Sequence, residues 1–525
     1  MVKRIIYQML PRYFGNVNGN CRPSGSLDEN GCGKFSDITP AILERLRDEL
    51  KITDIWYTGV LDHATTVSFP GKPSSSVAVV KGRAGSPYAV RDYFDIAPYL
   101  ADNPEQRFEE FKELVKRTHE AGLKAIIDFV PNHVAREYAS SYAAKERNLG
   151  ADDDPSLGEN DLNDFIYLPG EHLHLPECVP GYDDYHEYPA KVTGNNCYSS
   201  YPSVNDWYDT VKLNYGSRHT GTWDKMAEII SFWAAAGIDG FRCDMVEMVP
   251  VAFFAWLISK VRTEAGRDIS FIAEVYGMSR YKEYSDAGFD LLYDKSGLYD
   301  TLRGICASVM PASGITRNWQ MLGELQPKML NFLENHDEQR IASGFFCGDA
   351  RKSYAALYVS LMFNDAAFMI YSGQEYGERG MDEEGFSGRD GRSTIYDFWS
   401  VGSLRRALTG QSTGEENAVY EKYVSLLASL AASKALSHGK TFDLCYANYG
   451  NPGFDPGRHF AFLKYCPGEL KLVAANFSGL DTEMAIRIPA HAFEYFSIPE
   501  TPGLNSKTPV CIKTGAWDGA ISDLI

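Results

Sequence analysis

Short apolar runs alternate along most of the chain with longer amphipathic stretches. The runs fall at residues 4–10, 52–58, 124–130, 238–242, 270–274, 289–293, 328–334 and 367–371, and several end in polar residues. Runs this continuous suit strands that are buried on both faces, as in a parallel sheet. Between or after them, residues 41–50, 104–121, 222–236, 251–265, 350–363 and 420–432 repeat apolar positions at three- and four-residue spacing. That period predicts helices with a stripe turned to a core. Eight such units predict an α/β fold, a closed (β/α)8 TIM barrel.

The alternation is broken twice. Val134 to Gly221 is far longer than a connection between strand and helix needs, which predicts an inserted domain after strand 3, placed over the face where barrel enzymes work. Beyond Ser437 the period becomes two, as in residues 460–465 and 470–475, with Gly, Pro and Asn between the runs. This predicts a C-terminal antiparallel β domain. The expected division is barrel at 1–133, inserted domain at 134–221, barrel again at 222–436 and β domain at 437–525. The segment Gly380 to Trp399, rich in Gly, Asp and Arg, is expected either to shape the cleft or simply to be solvated.

Composition narrows the partner. A formal net charge of −19 repels phosphate backbones and anionic lipid, so nucleic acid is not an expected partner. With 32 Tyr and 28 Phe beside many carboxylates, the chain suits a neutral sugar, whose apolar faces rest on rings and whose hydroxyls donate to carboxylates; a Tyr-rich core accounts for the same counts. The ten cysteines form no Cys-x-x-Cys pair or zinc spacing. Cys21 with Cys32, and Cys178 with Cys197, admit short-loop disulfides and free thiols alike. No apolar run has membrane-spanning length, so no transmembrane segment is expected. The first residues run straight into a strand, which predicts a cytoplasmic protein or one whose signal segment has been removed.

Candidate chemistry collects at the C-terminal ends of the predicted strands: Asp128 with Asn132 and His133, Arg242 with Asp244, Glu274, and His336 with Asp337. In a barrel those ends converge on one cleft. Each has a structural reading alone, as a helix cap or a satisfied buried group. Arg242 and Asp244, two apart on an extended segment, point the same way, so the guanidinium holds the carboxylate ionised, as a nucleophile requires. Glu274 follows the apolar run 269–273, and desolvation there keeps a general acid protonated; a plain Arg242–Glu274 ion pair is the structural alternative.

These clusters, in this order, resemble the signature regions of the α-amylase superfamily, glycoside hydrolase family thirteen: Asp128-Phe129-Val130-Pro131-Asn132-His133, Gly240-Phe241-Arg242-Cys243-Asp244, Ala273-Glu274-Val275 and Phe332-Leu333-Glu334-Asn335-His336-Asp337, with Val211-Lys212-Leu213-Asn214 before the fourth strand. The resemblance implies a retaining glycosidase with Asp244 as nucleophile, Glu274 as acid/base and Asp337 as transition-state stabiliser. It also implies that Tyr88 stacks under the sugar while Asp128, His133, Arg242 and His336 hold its hydroxyls and the carboxylates. The expected substrates are starch, glycogen or maltooligosaccharides cleaved at α-1,4 bonds. Transglycosylation or isomerisation of α-glucosides is the alternative, and a non-catalytic saccharide-binding relative a further one. Met245, Glu247 and Met248 depart from the residues usual after the nucleophile in α-1,4 enzymes, so linkage preference does not carry over. No cofactor is expected for the chemistry. A structural calcium, with Asn132 as candidate ligand, is implied by the resemblance alone, and Asp183-Asp184 and Asp152-Asp153-Asp154 are acidic stretches that either contribute to it or are solvated.

Overall fold

The computed structural model describes residues 3–140, 142, 147–380 and 385–525, so residues 381–384 of the segment expected to shape the cleft lie outside it. Eight parallel strands close into a barrel: β1 (Ile5–Met9), β2 (Asp54–Tyr57), β3 (Lys124–Phe129), β4 (Gly240–Cys243), β5 (Ser270–Ala273), β6 (Leu291–Tyr293), β7 (Met329–Phe332) and β8 (Ala367–Tyr371). Each pairs with its sequence neighbours, and β8 closes on β1 with Ile5 opposite Phe368.

Strand alternation sorts the residues into two cores. Ile6, Trp56, Ile126, Ile272, Tyr293, Leu330, Phe332 and Met369 form one buried cluster, the barrel interior. Neighbours of opposite parity, such as Tyr7, Ile55, Ile127, Phe271 and Ile370, belong to the larger core shared with the surrounding helices. Carrying the interior parity two residues towards the C-terminal ends reaches Gln8, Asp128 and Glu274, and in β4 it passes through Arg242 to Asp244. Alternation thus delivers polar side chains to one mouth above an apolar plug.

Helices lie close to their expected positions, for example Pro40–Glu49, Gly221–Ala235 and Val251–Ala265. The helix expected at 420–432 starts earlier, at Gly414, because Thr413 and Glu416 form a capping box there. Between β3 and β4, His133–Ala135 pairs antiparallel with Thr210–Lys212, so the long insertion leaves and returns side by side above the barrel mouth. At the C-terminal end, Lys440–Asp443, His459–Cys466, Glu469–Asn476 and Gly519–Asp523 form one antiparallel sheet. Its Phe460 and Phe462 pack on Phe363, which follows the last turn of the helix Tyr354–Met362. A helix at Ala490–Phe496, absent from the sequence reading, closes one side. Cys21, Cys32, Cys178 and Cys197 are all free thiols. Among the described residues no helix is long and apolar enough to cross a membrane.

Candidate active site

Arg242 sits fully buried at the centre of the mouth. One Nη reaches Asp244 Oδ1 at 2.6 Å and the other lies 2.7 Å from Glu274 Oε1, an ion pair without an aligned hydrogen bond; Asp128 is 3.7 Å away. The rings of Trp56, Tyr88 and Tyr293 surround the guanidinium at 5.3 to 5.6 Å. A planar, permanently charged fork can hold two carboxylates at once, and the aromatic faces help to stabilise its charge out of water.

Burial dominates the acid–base balance. It raises Asp244 to about 6 although Arg242 opposes the shift, and it raises Asp128 to about 6 in the same way. Glu274 is also raised, first by burial and then by the Asp244 charge, against Arg242 and two hydrogen bonds. Those bonds come from Met245 N–H to Oε2 at 2.7 Å and from Tyr276 O–H to Oε1 at 2.8 Å. Met245 holds a left-handed backbone (φ 45°), and its amide points from the residue after Asp244 to the opposite carboxylate. Asp337 is raised by burial and then by Glu274, yet its side chain keeps 41 % of its exposure, open to the cleft.

A relay of hydrogen bonds fixes the other side. Gln8 Nε2 donates to His336 Nδ1 at 2.7 Å, which leaves the proton of the neutral ring on Nε2. The ring is neutral because burial and then Arg242 lower its pKa well below the ordinary value. Nε2 faces Tyr88 Oη at 2.6 Å and Asp337 Oδ2 at 3.1 Å, and Tyr88 O–H in turn approaches Asp128 Oδ1 at 3.4 Å. Asp128 also accepts the amide of Gly59 at 3.1 Å, presented by a left-handed turn (φ 71°) just past β2. Asn132 Nδ2 lies 3.1 Å from His133 Nδ1 and donates to it, and burial lowers His133 to about 3 against a hydrogen bond to the Tyr88 backbone, so this ring is neutral as well.

Tyr88, His133, Asp244, Glu274 and Asp337, five of the eight candidate catalytic and substrate-binding residues, line a single cleft of about 290 Å3, with Trp207, Tyr276 and Tyr396 among its other walls. Asp128, Arg242 and His336 lie behind that surface and hold it in place. The sequence reading missed Gln8, Trp56, Tyr276 and Trp207, which carry no local motif. Glu247, noted only as a departure, accepts the amides of Tyr276 and Gly277 at 2.7 and 3.2 Å and so holds the loop after β5.

The calcium expectation meets a different arrangement. Asn132 Oδ1 accepts a hydrogen bond from the Lys212 ammonium, which also donates to Met248 O at 2.8 Å. Asp153 is occupied by the amides of Asp164 and Phe165, and Asp154 by Ser156. Among the described residues no three His, Cys, Asp or Glu side chains gather to hold a metal. The donor set around Asn132 therefore does not fit calcium, which requires several oxygen ligands and no competing cation.

Residues 8–282, just over half of the chain, match the family model described as the α-amylase catalytic domain. A cyclomaltodextrin glucanotransferase from a Bacillus species is 24% identical over 407 residues, covering 73% of this chain and 51% of that protein. α-Amylase 3 of Dictyoglomus thermophilum is 24% identical over 383 residues, covering 67% and 68%. The chain spans about half the length of the first glucanotransferases it matches. Among solved structures, a maltogenic α-amylase from Thermotoga neapolitana superposes with a TM-score of 0.64 at 19% identity, covering 100% of this chain and 99% of that one. A debranching enzyme from Nostoc punctiforme gives 0.66 at 17% identity, covering 99% and 97%. At these identities the superpositions establish the fold alone.

Proposed function

Because this chain belongs to the α-amylase family, we propose that it is a retaining glycoside hydrolase that cleaves α-1,4-glucosidic bonds in starch, glycogen or maltooligosaccharides. The observation that carries the reading is the single guanidinium of Arg242 bridging Asp244 and Glu274 at the barrel mouth, with Asp337 open to the same cleft. Glu274, with its pKa raised, donates its proton to the glycosidic oxygen as Asp244 attacks the anomeric carbon and the bond to the leaving sugar breaks. Glu274, now ionised, takes a proton from water, whose oxygen attacks the anomeric carbon and releases Asp244. Two inversions give retention.

The remaining groups act by position and charge. Arg242 favours the ionised nucleophile, and Asp337 balances the positive charge that develops on the ring carbon and oxygen. Tyr88 offers a ring face to the sugar, His133 lines the cleft beside it, and His336 holds Tyr88 and Asp337 in place from behind. No step runs through a metal.

Incubation with maltoheptaose, with products followed by chromatography and anomeric configuration by early NMR, tests the reading. Short α-configured maltooligosaccharides are expected; β-configured products, or silence on every α-glucoside, overturn it. Transfer to a sugar acceptor is the second reading, favoured by the likeness to cyclomaltodextrin glucanotransferases. It predicts as main products cyclic saccharides, by transfer to the chain's own far end, or elongated ones when an acceptor is added.

A further inference from the structure

Lys212 is 8% exposed at the end of the strand Thr210–Lys212, directly opposite His133 in the antiparallel pair. Its ammonium joins three segments at one point: Asn132 at the end of β3, its own strand returning from the insertion, and Met248 in the loop after Asp244. Both oxygens it touches are neutral, an amide and a backbone carbonyl. Among the described residues no carboxylate lies within ion-pair distance of it. A lysine whose role was to satisfy a buried acid would have one; this one instead gathers carbonyl-type oxygens from separate segments, as a bound cation does.

We propose that the Lys212 ammonium is the structural cation of this junction: a covalently held positive charge that clamps His133 and the loop after Asp244 into the cleft and excludes a divalent ion from the same oxygens. Like charges within one small cage repel, and the amide oxygen that would ligate a metal already accepts a hydrogen bond. The junction therefore assembles from the chain alone, independent of calcium.

Thermal unfolding and elemental analysis test this without reference to turnover, so failure of the proposed hydrolytic function would leave it standing. Purified full-length protein, dialysed against EDTA, is expected to retain no stoichiometric calcium and to melt at the same temperature in millimolar EDTA and in millimolar CaCl2. Lys212→Met, which keeps the stem and removes the donors, is expected to melt several degrees lower and to ignore calcium. Lys212→Asp places an oxygen ligand beside Asn132 Oδ1 and Met248 O, and calcium is expected to raise its melting temperature. A wild type that loses stability on chelation, or that holds about one calcium per chain after dialysis, overturns the proposal. So does a Lys212→Met variant that melts like wild type, or a folded Lys212→Asp variant indifferent to calcium.

Discussion

Asp244 shows how one residue links chemistry and stability. Its folded pKa of about 6 stands above the ordinary carboxyl value because burial outweighs Arg242, so the native state favours the protonated form. Its contribution to stability is therefore fully present below the ordinary carboxyl range and is lost as pH rises through about 6. Asp244→Asn removes the titration. The melting temperature of the variant relative to wild type is expected to climb between about pH 4 and about pH 7, read by scanning fluorimetry, while turnover falls by several orders of magnitude. A difference that stays flat with pH would mean that burial is not the cause.

Tyr276 acts on the partner carboxylate. Its hydroxyl donates to Glu274 Oε1 and so stabilises the ionised acid. Removing that donor raises the pKa of Glu274 further. Tyr276→Phe is expected to move the alkaline limb of the pH profile of kcat/KM upward, because the acid keeps its proton to higher pH. A downward movement would show that the hydroxyl favours the neutral form.

At the scale of elements, the loops after β4 and β5 hold one another. Glu247 from the first accepts the two amides at the start of the second, and a Cβ on Gly277 would come within 2.6 Å of Glu247 Oε1. The backbone of Gly277 (φ −74°) suits any residue, so the constraint is steric alone. Gly277→Ala is expected to push the Glu247 carboxylate aside, and the loss of its bonds to the two amides costs about 1–3 kcal/mol of stability. Because Tyr276 moves with the loop, kcat should fall by more than KM rises. Denaturant titration and steady-state kinetics on one preparation give both numbers.

The whole molecule depends on how the C-terminal sheet meets the barrel. Phe460 and Phe462 bury against Phe363, Lys422 pairs with Asp518 at 2.7 Å, and Gly519 lies so close to Tyr358 that a Cβ would meet its ring at 2.6 Å. An apolar helix face left bare by deletion of the sheet would have no other cover. Truncation after residue 436 is expected to give aggregated protein by size-exclusion chromatography; a soluble monomer with the wild-type melting temperature would show that the sheet is dispensable to the barrel.

The same scales separate what could be read in advance. All eight barrel strands and the antiparallel end were legible, because a strand buried on both faces writes a continuous apolar run and a half-exposed sheet writes a period of two. The helix at Ala490–Phe496 was missed because it is only seven residues long within a β-rich segment, too short for its period to register. That Asp244, Glu274 and Asp337 meet in one cleft could be expected because each follows its strand within a local pattern.

Sequence by itself determined the alternation of elements, the parity that turns Asp128, Arg242 and Glu274 inward, and the residue types available at the mouth, since these depend only on neighbours along the chain. Tertiary structure alone decided that Gln8 sets the tautomer of His336, 328 positions away, and that Lys212 reaches Asn132 across 80. Such contacts leave no local periodicity. They exist only once the barrel has closed and the insertion has folded back over it, because closure is what brings distant polar groups to one place and removes the water that would otherwise satisfy them.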